Sequence, residues 1–77
     1  MDNWVEEHML IELADDFGTL ELDDGSQWGI MPGDMPTICT WIPTATIRIN
    51  LIAPDSLWPY ELTNTGVDIS VRAMRKN

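Results

Sequence analysis

The sequence predicts a small, mostly β domain, an antiparallel barrel or roll of five to seven strands on the scale of an SH3 or OB domain. Three observations carry this. Turn-forming residues recur about every eight to twelve positions, the spacing of short antiparallel strands. The runs between them are rich in Ile, Val, Leu, Thr and Trp. Two of those runs, 45–51 and 67–73, alternate apolar and polar residues strictly, which gives a strand one dry and one wet face.

Residues 2–14 are the one stretch that can compete as helix. Asp2 or Asn3 can cap, Glu6 and Glu7 suit a first turn, and Val5, Met9 and Leu13 recur at four-residue steps. The expectation is a short helical turn that leads into a strand near Met9. Strands are then expected at 19–22 and 27–30, joined by Asp23-Asp24-Gly25-Ser26, where glycine accepts the positive φ of a hairpin turn. A further strand is expected over Thr37-Ile38-Cys39-Thr40-Trp41, bounded by prolines. The segment 45–51 follows. Tyr60-Glu61-Leu62 then pairs with 67–73 across Asn64-Thr65-Gly66, with Gly66 expected in the left-handed position.

Seventy-seven residues make one domain spanning 1–77. A chain this short buries only roughly 60% of the surface its unfolded form exposes. Lone Cys39 excludes an internal disulfide and a cysteine-rich zinc site. Four Trp supply much burial per residue, and self-association is compatible with the sequence. The acidic start and the shortness of the apolar runs give no sign of a signal peptide or a membrane span. With the unpaired cysteine, they point to the cytoplasm.

The net charge is −9, and its distribution is uneven. Residues 1–34 hold ten of the thirteen acids and no Lys or Arg; Arg48, Arg72, Arg75 and Lys76 all lie later. Such a chain repels phosphate backbones and anionic lipid, so nucleic acid and membranes are poor partners.

Catalytic constellations are missing from the pattern. Cys39 reads as a small buried thiol in an apolar run without basic neighbours. His8 reads as an exposed residue ahead of the first strand rather than a general base. Asp15, Asp16, Glu21, Asp23 and Asp24 offer oxygens of the kind calcium takes, but their spacing is not that of an EF-hand. Both Asp pairs also stand where β-turns favour Asp, so no metal or cofactor is assigned. Trp28, Trp41, Trp58 and Tyr60, with Pro36, Pro43, Pro54 and Pro59, have the composition of a peptide groove. Core packing accounts better for Trp28 and Trp41, which leaves Trp58, beside Leu57 in a proline-flanked loop, as the exposed contact residue.

The run Leu20-Glu21-Leu22-Asp23-Asp24-Gly25-Ser26-Gln27-Trp28-Gly29-Ile30, followed by Asp34 and Trp41-Ile42-Pro43, resembles a loosely defined group of small bacterial proteins of unknown function. These carry an Asp-Gly-Ser-x-Trp turn and a Trp-x-Pro-Gly-Asp turn. The likeness covers about residues 20–49 and departs after Pro43, where Thr44-Ala45 stands in place of Gly-Asp. The resemblance implies a compact β domain and no activity.

The functional expectation is therefore a non-enzymatic module that binds another protein with a basic surface. Its contacts would be Asp15, Asp16, Asp23 and Asp24 with Leu57 and Trp58. A nucleic-acid mimic, or a nucleic-acid-associated barrel, is the alternative, and a carboxylate- or metal-dependent enzyme ranks last.

Overall fold

A computed structural model of the chain describes residues 5–14 and 18–76. Six strands are present: β1 (Val5–Leu13), β2 (Thr19–Leu22), β3 (Gln27–Ile30), β4 (Thr46–Leu51), β5 (Tyr60–Asn64) and β6 (Ile69–Arg75). They close into an antiparallel barrel in the order β1-β2-β3-β6-β5-β4. Two three-stranded meanders thus join side by side, through β1–β4 and β3–β6. Closure gives each described strand a hydrogen-bonded neighbour on both sides, which limits the template for edge-to-edge association.

The interior is filled by Leu10, Leu20, Leu22, Trp28, Ile30, Ile47, Ile49, Leu62, Val71 and Ala73 from the strands, with Ile38 and Trp41 from one connection. The 45–51 segment behaves as its pattern requires, and 67–73 does so only from Val71 onward, since Val67 and Ile69 are exposed. Ile47 and Ile49 face inward while Arg48 faces solvent, and Val71 and Ala73 face inward around Arg72.

Three sequence expectations are corrected. The first is the helical turn before Met9: from Val5 onward the chain is strand, paired with β4 in the register Val5↔Asn50 to Met9↔Thr46. A bulge lies between Leu10 and Glu12, because Leu10 pairs with Leu22 but Glu12 pairs with Glu21. One extra residue flips the alternation, so Leu10 and Leu13 both turn toward the core while Met9 and Ile11 lie outside. Broken alternation imitates helical spacing, and pairing with β4 over Val5–Met9 and with β2 over Leu10–Leu13 decides for strand.

The second is the strand at 37–41, which does not form. Pro32–Asp34 is a 3₁₀ turn and Met35–Ile38 a single helical turn, α1. Prolines suit the first turn of a helix, where the missing N–H has no partner to lose. Topology asks for this too, since β3 and β4 are not neighbours and the link must cross an end of the barrel. There Ile38 and Trp41 plug the interior. Asp34 Oδ2 accepts the Arg72 backbone N–H at 2.9 Å and latches the link to β6. Cys39, expected buried, is exposed, its thiol donating to the Pro36 carbonyl.

The third is the last hairpin, which forms with a different left-handed residue. Asp68 has φ +58°, while Gly66 is not among the positive-φ residues. Asn64 Oδ1 accepts the Gly66 N–H and the Asn64 carbonyl accepts the Asp68 N–H at 2.8 Å, so the turn extends through residue 68. The strand accordingly begins at Ile69 rather than residue 67. The first hairpin is as the sequence predicts, with Gly25 at φ +85°.

Strand direction sorts the connections. The start of β1, the β2–β3 turn, the β4–β5 loop and the end of β6 share one end of the barrel; the helical link and the β5–β6 turn share the other.

Candidate functional site

At the first of these ends, β1 places Glu6 and His8 beside Ile49 and Ile47 of β4. Cross-strand partners share a face, so both polar side chains lie on the inward-facing side of the strand, below Leu10. The β2–β3 turn is drawn against them by the Asp23 N–H, which donates to the Met9 carbonyl at 2.9 Å.

His8 is the centre of this cluster, its side chain 22% exposed. Its Nδ1 lies 2.9 Å from Asp23 Oδ1 and its Nε2 2.9 Å from Glu6 Oε1. Asp24 Oδ2 stands 3.4 Å from the same Nε2. Two nitrogens each facing a carboxylate suit the imidazolium, which donates from both. The other Asp24 oxygen, Oδ1, accepts from the Ser26 backbone N–H at 2.9 Å and the Ser26 hydroxyl at 2.6 Å. Ser26 Oγ in turn accepts from the Trp28 indole at 2.8 Å. A bonded chain therefore runs from the core tryptophan to the barrel mouth. Trp28 also meets Tyr60 edge to face at 4.9 Å, with the Arg75 guanidinium 5.8 Å from its ring centre.

The Glu6 hydrogen bond, reinforced by Asp23 and Asp24, raises the His8 pKa above its ordinary 6.5 despite an opposing effect of partial burial. The Ser26 hydroxyl chiefly lowers that of Asp24 below its ordinary 3.8, with smaller contributions from His8 and Arg75. A raised histidine value means stabilisation complete below pH 6.5 and lost as pH climbs through the folded value. A lowered aspartate value means stabilisation complete above pH 3.8 and lost as pH falls through the folded value. Both contributions are full between 3.8 and 6.5. Urea midpoints of chelator-treated protein are thus expected to fall from mildly acidic to mildly basic pH, and to fall less in His8→Gln. Equal slopes for the two proteins would refute the assignment.

The arrangement does not form a nucleophile–base pair. Ser26, the hydroxyl in the chain of bonds, is 2% exposed and commits its proton to Asp24.

The β4–β5 loop, residues 52–59, lies at the same end on the opposite side of the strand ring. It is held by the Ile52 and Ala53 N–H groups on the Pro59 carbonyl and by Ser56 N–H on the Ala53 carbonyl. Arg72 donates through Nε and Nη2 to the Trp58 carbonyl at 3.1 and 2.7 Å. This fixed loop presents Leu57, 83% exposed. Trp58, expected to be the exposed member, is half-buried.

Asp23, Asp24, Leu57 and Trp58 are thus brought to one end. Asp15 and Asp16 lie outside the described residues. Glu21 stays in the β2–β3 ladder opposite Gln27, and among the described residues the ligand-spaced group is Glu6, His8 and Asp24 rather than the acids that flank β2. Trp28 and Trp41 belong to the core and line no peptide groove. Glu6 and His8 are not among the expected contact residues, because the stretch ahead of Met9 reads as a helical turn; their i, i+2 spacing ahead of Leu10 is the signal the sequence offers.

The fold and site define a small closed β-barrel with an acidic, histidine-centred mouth. No protein-family model, curated protein or solved structure matches the chain. No helix among the described residues is long and apolar enough to cross a membrane.

Proposed function

We propose that this domain is a non-enzymatic binding module that docks a basic protein surface onto the end of the barrel carrying the Asp23-Asp24 turn and the Leu57 loop. The observation that carries the reading is the presentation of Leu57, 83% exposed, on a loop fixed by backbone and arginine hydrogen bonds. A pre-ordered apolar anchor loses little entropy on binding, and the acids of the turn across the barrel mouth steer a cationic partner and select against anionic ones. The cytoplasm is part of the same proposal, since a single exposed thiol fits a reducing compartment.

The test is capture from extracts of the native host at low salt. The wild-type domain is expected to retain a basic protein, released by added salt. Leu57→Asp should weaken retention by about tenfold or more, the loss usual for an interface anchor. Capture of nothing above background, or capture indifferent to Leu57, refutes the proposal. Preferential release by single-stranded oligonucleotide would instead favour the nucleic-acid-mimic reading, because mimic and nucleic acid then compete for one basic site.

A further inference from the structure

The geometry points to a function for the His8 cluster beyond protein docking: we propose that Glu6, His8 and Asp24 bind a zinc-like transition-metal dication. The donor atoms are Glu6 Oε1, His8 Nε2 and Asp24 Oδ2. Nε2 lies 2.9 Å from the first and 3.4 Å from the last, and the three ligand positions fall within 4.8 Å of one another. Zinc bonds of about 2.0–2.2 Å place neighbouring ligands about 2.9–3.5 Å apart in octahedral to tetrahedral geometry. Two of the separations already have that value, and the third, between the Glu6 and Asp24 oxygens, lies within 4.8 Å.

Outer groups support this as strongly as the ligands. A metal-binding histidine characteristically donates its second ring N–H to a carboxylate, which fixes the ring and its tautomer. Asp23 Oδ1 is in that position, 2.9 Å from Nδ1. Asp24 keeps one oxygen for the metal while the other is held by Ser26, itself bonded to fully buried Trp28. These holding groups belong to the core, so the carboxylate is oriented by the fold rather than by its acidic neighbours. Three carboxylates facing one imidazole also leave excess negative charge that a dication would neutralise better than a proton does. Metal binding at Nε2 displaces the proton shared with Glu6, and that proton leaves to solvent.

The imidazole sets selectivity. Nitrogen ligation suits zinc, cobalt or nickel, whereas calcium and magnesium take all-oxygen shells. Three protein ligands leave a coordination position open, as in zinc sites that bind water or an external ligand.

Untagged, chelator-stripped protein titrated with Zn2+, Co2+ and Ca2+ by calorimetry tests the site. Stoichiometric Zn2+ uptake is expected, with visible d–d bands on Co2+ loading and no comparable heat from Ca2+. His8→Gln and Glu6→Gln should each weaken Zn2+ binding by about tenfold or more, and Asp23→Asn should weaken it about tenfold through the ring. Cys39→Ser should leave it unchanged. Near-ultraviolet circular dichroism, dominated by the tryptophans, checks that each variant is folded. Absent Zn2+ uptake, uptake equal in the folded Glu6→Gln and wild-type proteins, or Ca2+ binding as tight as Zn2+ overturns the proposal.

Discussion

Trp28→Ala is expected to lower the unfolding free energy by about 3–5 kcal/mol, the usual cost of removing a buried tryptophan from a packed interior. A domain of this length holds about 4–12 kcal/mol in total, so the variant sits at or near the edge of folding. The residue has no exposed surface, meets Tyr60 edge to face and donates its indole N–H to Ser26. Its removal opens a cavity between β3 and its neighbours and unties the chain of bonds that positions Asp24. Trp28→Phe separates the two roles. It keeps most of the volume and loses the N–H, at about 1 kcal/mol for the hydrogen bond plus the smaller ring. Urea denaturation followed by far-ultraviolet circular dichroism reads both, and a Trp28→Ala change under about 1 kcal/mol would contradict the packing described.

Trp41 gives the contrasting case at the other end of the barrel. It is 4% exposed, and its Nε1 has no hydrogen-bond partner among the described residues. Trp41→Ala is expected to cost about 3–5 kcal/mol through the cavity it leaves beneath the helical link. Trp41→Phe is expected to be nearly neutral. A stranded buried N–H costs about 1–3 kcal/mol, and its removal offsets the apolar area lost with the smaller ring. The discriminating measurement is the difference between the two phenylalanine variants in the same urea series. If Trp41→Phe is more damaging than Trp28→Phe, the roles assigned to the two indoles are reversed.

Legibility in the sequence followed the range of the interactions involved. The 46–51 strand and its inward Ile47 and Ile49 could be read because alternation is a local property of a strand with one face in a core. The Asp24-Gly25 hairpin could be read because positive φ is a demand on one residue. β1 misled because its bulge breaks the alternation, and a bulge is created by the partner strand. The 35–38 turn misled because Thr-Ile-Cys-Thr-Trp has strand composition, while its place between two non-adjacent strands demands a crossing. The candidate site depends on β1 and therefore shared its fate: Asp23 and Asp24 were recognisable as turn acids, but not as partners of a histidine fifteen residues earlier.

The amino-acid order alone carried the small acidic β character of the chain, with two strongly marked strands, a glycine hairpin and a first half without Lys or Arg. Those properties are written in residues a few positions apart, where side-chain alternation, turn conformation and charge act directly. Tertiary structure decided that six strands close into a barrel, that a helical link with Ile38 and Trp41 plugs one end, and that Glu6, His8, Asp23 and Asp24 meet at the other. The physical reason is register. Which face of β1 points inward, and which turn it meets, is fixed by its hydrogen-bonded neighbours on both sides, and a one-residue slip would turn His8 away from the mouth.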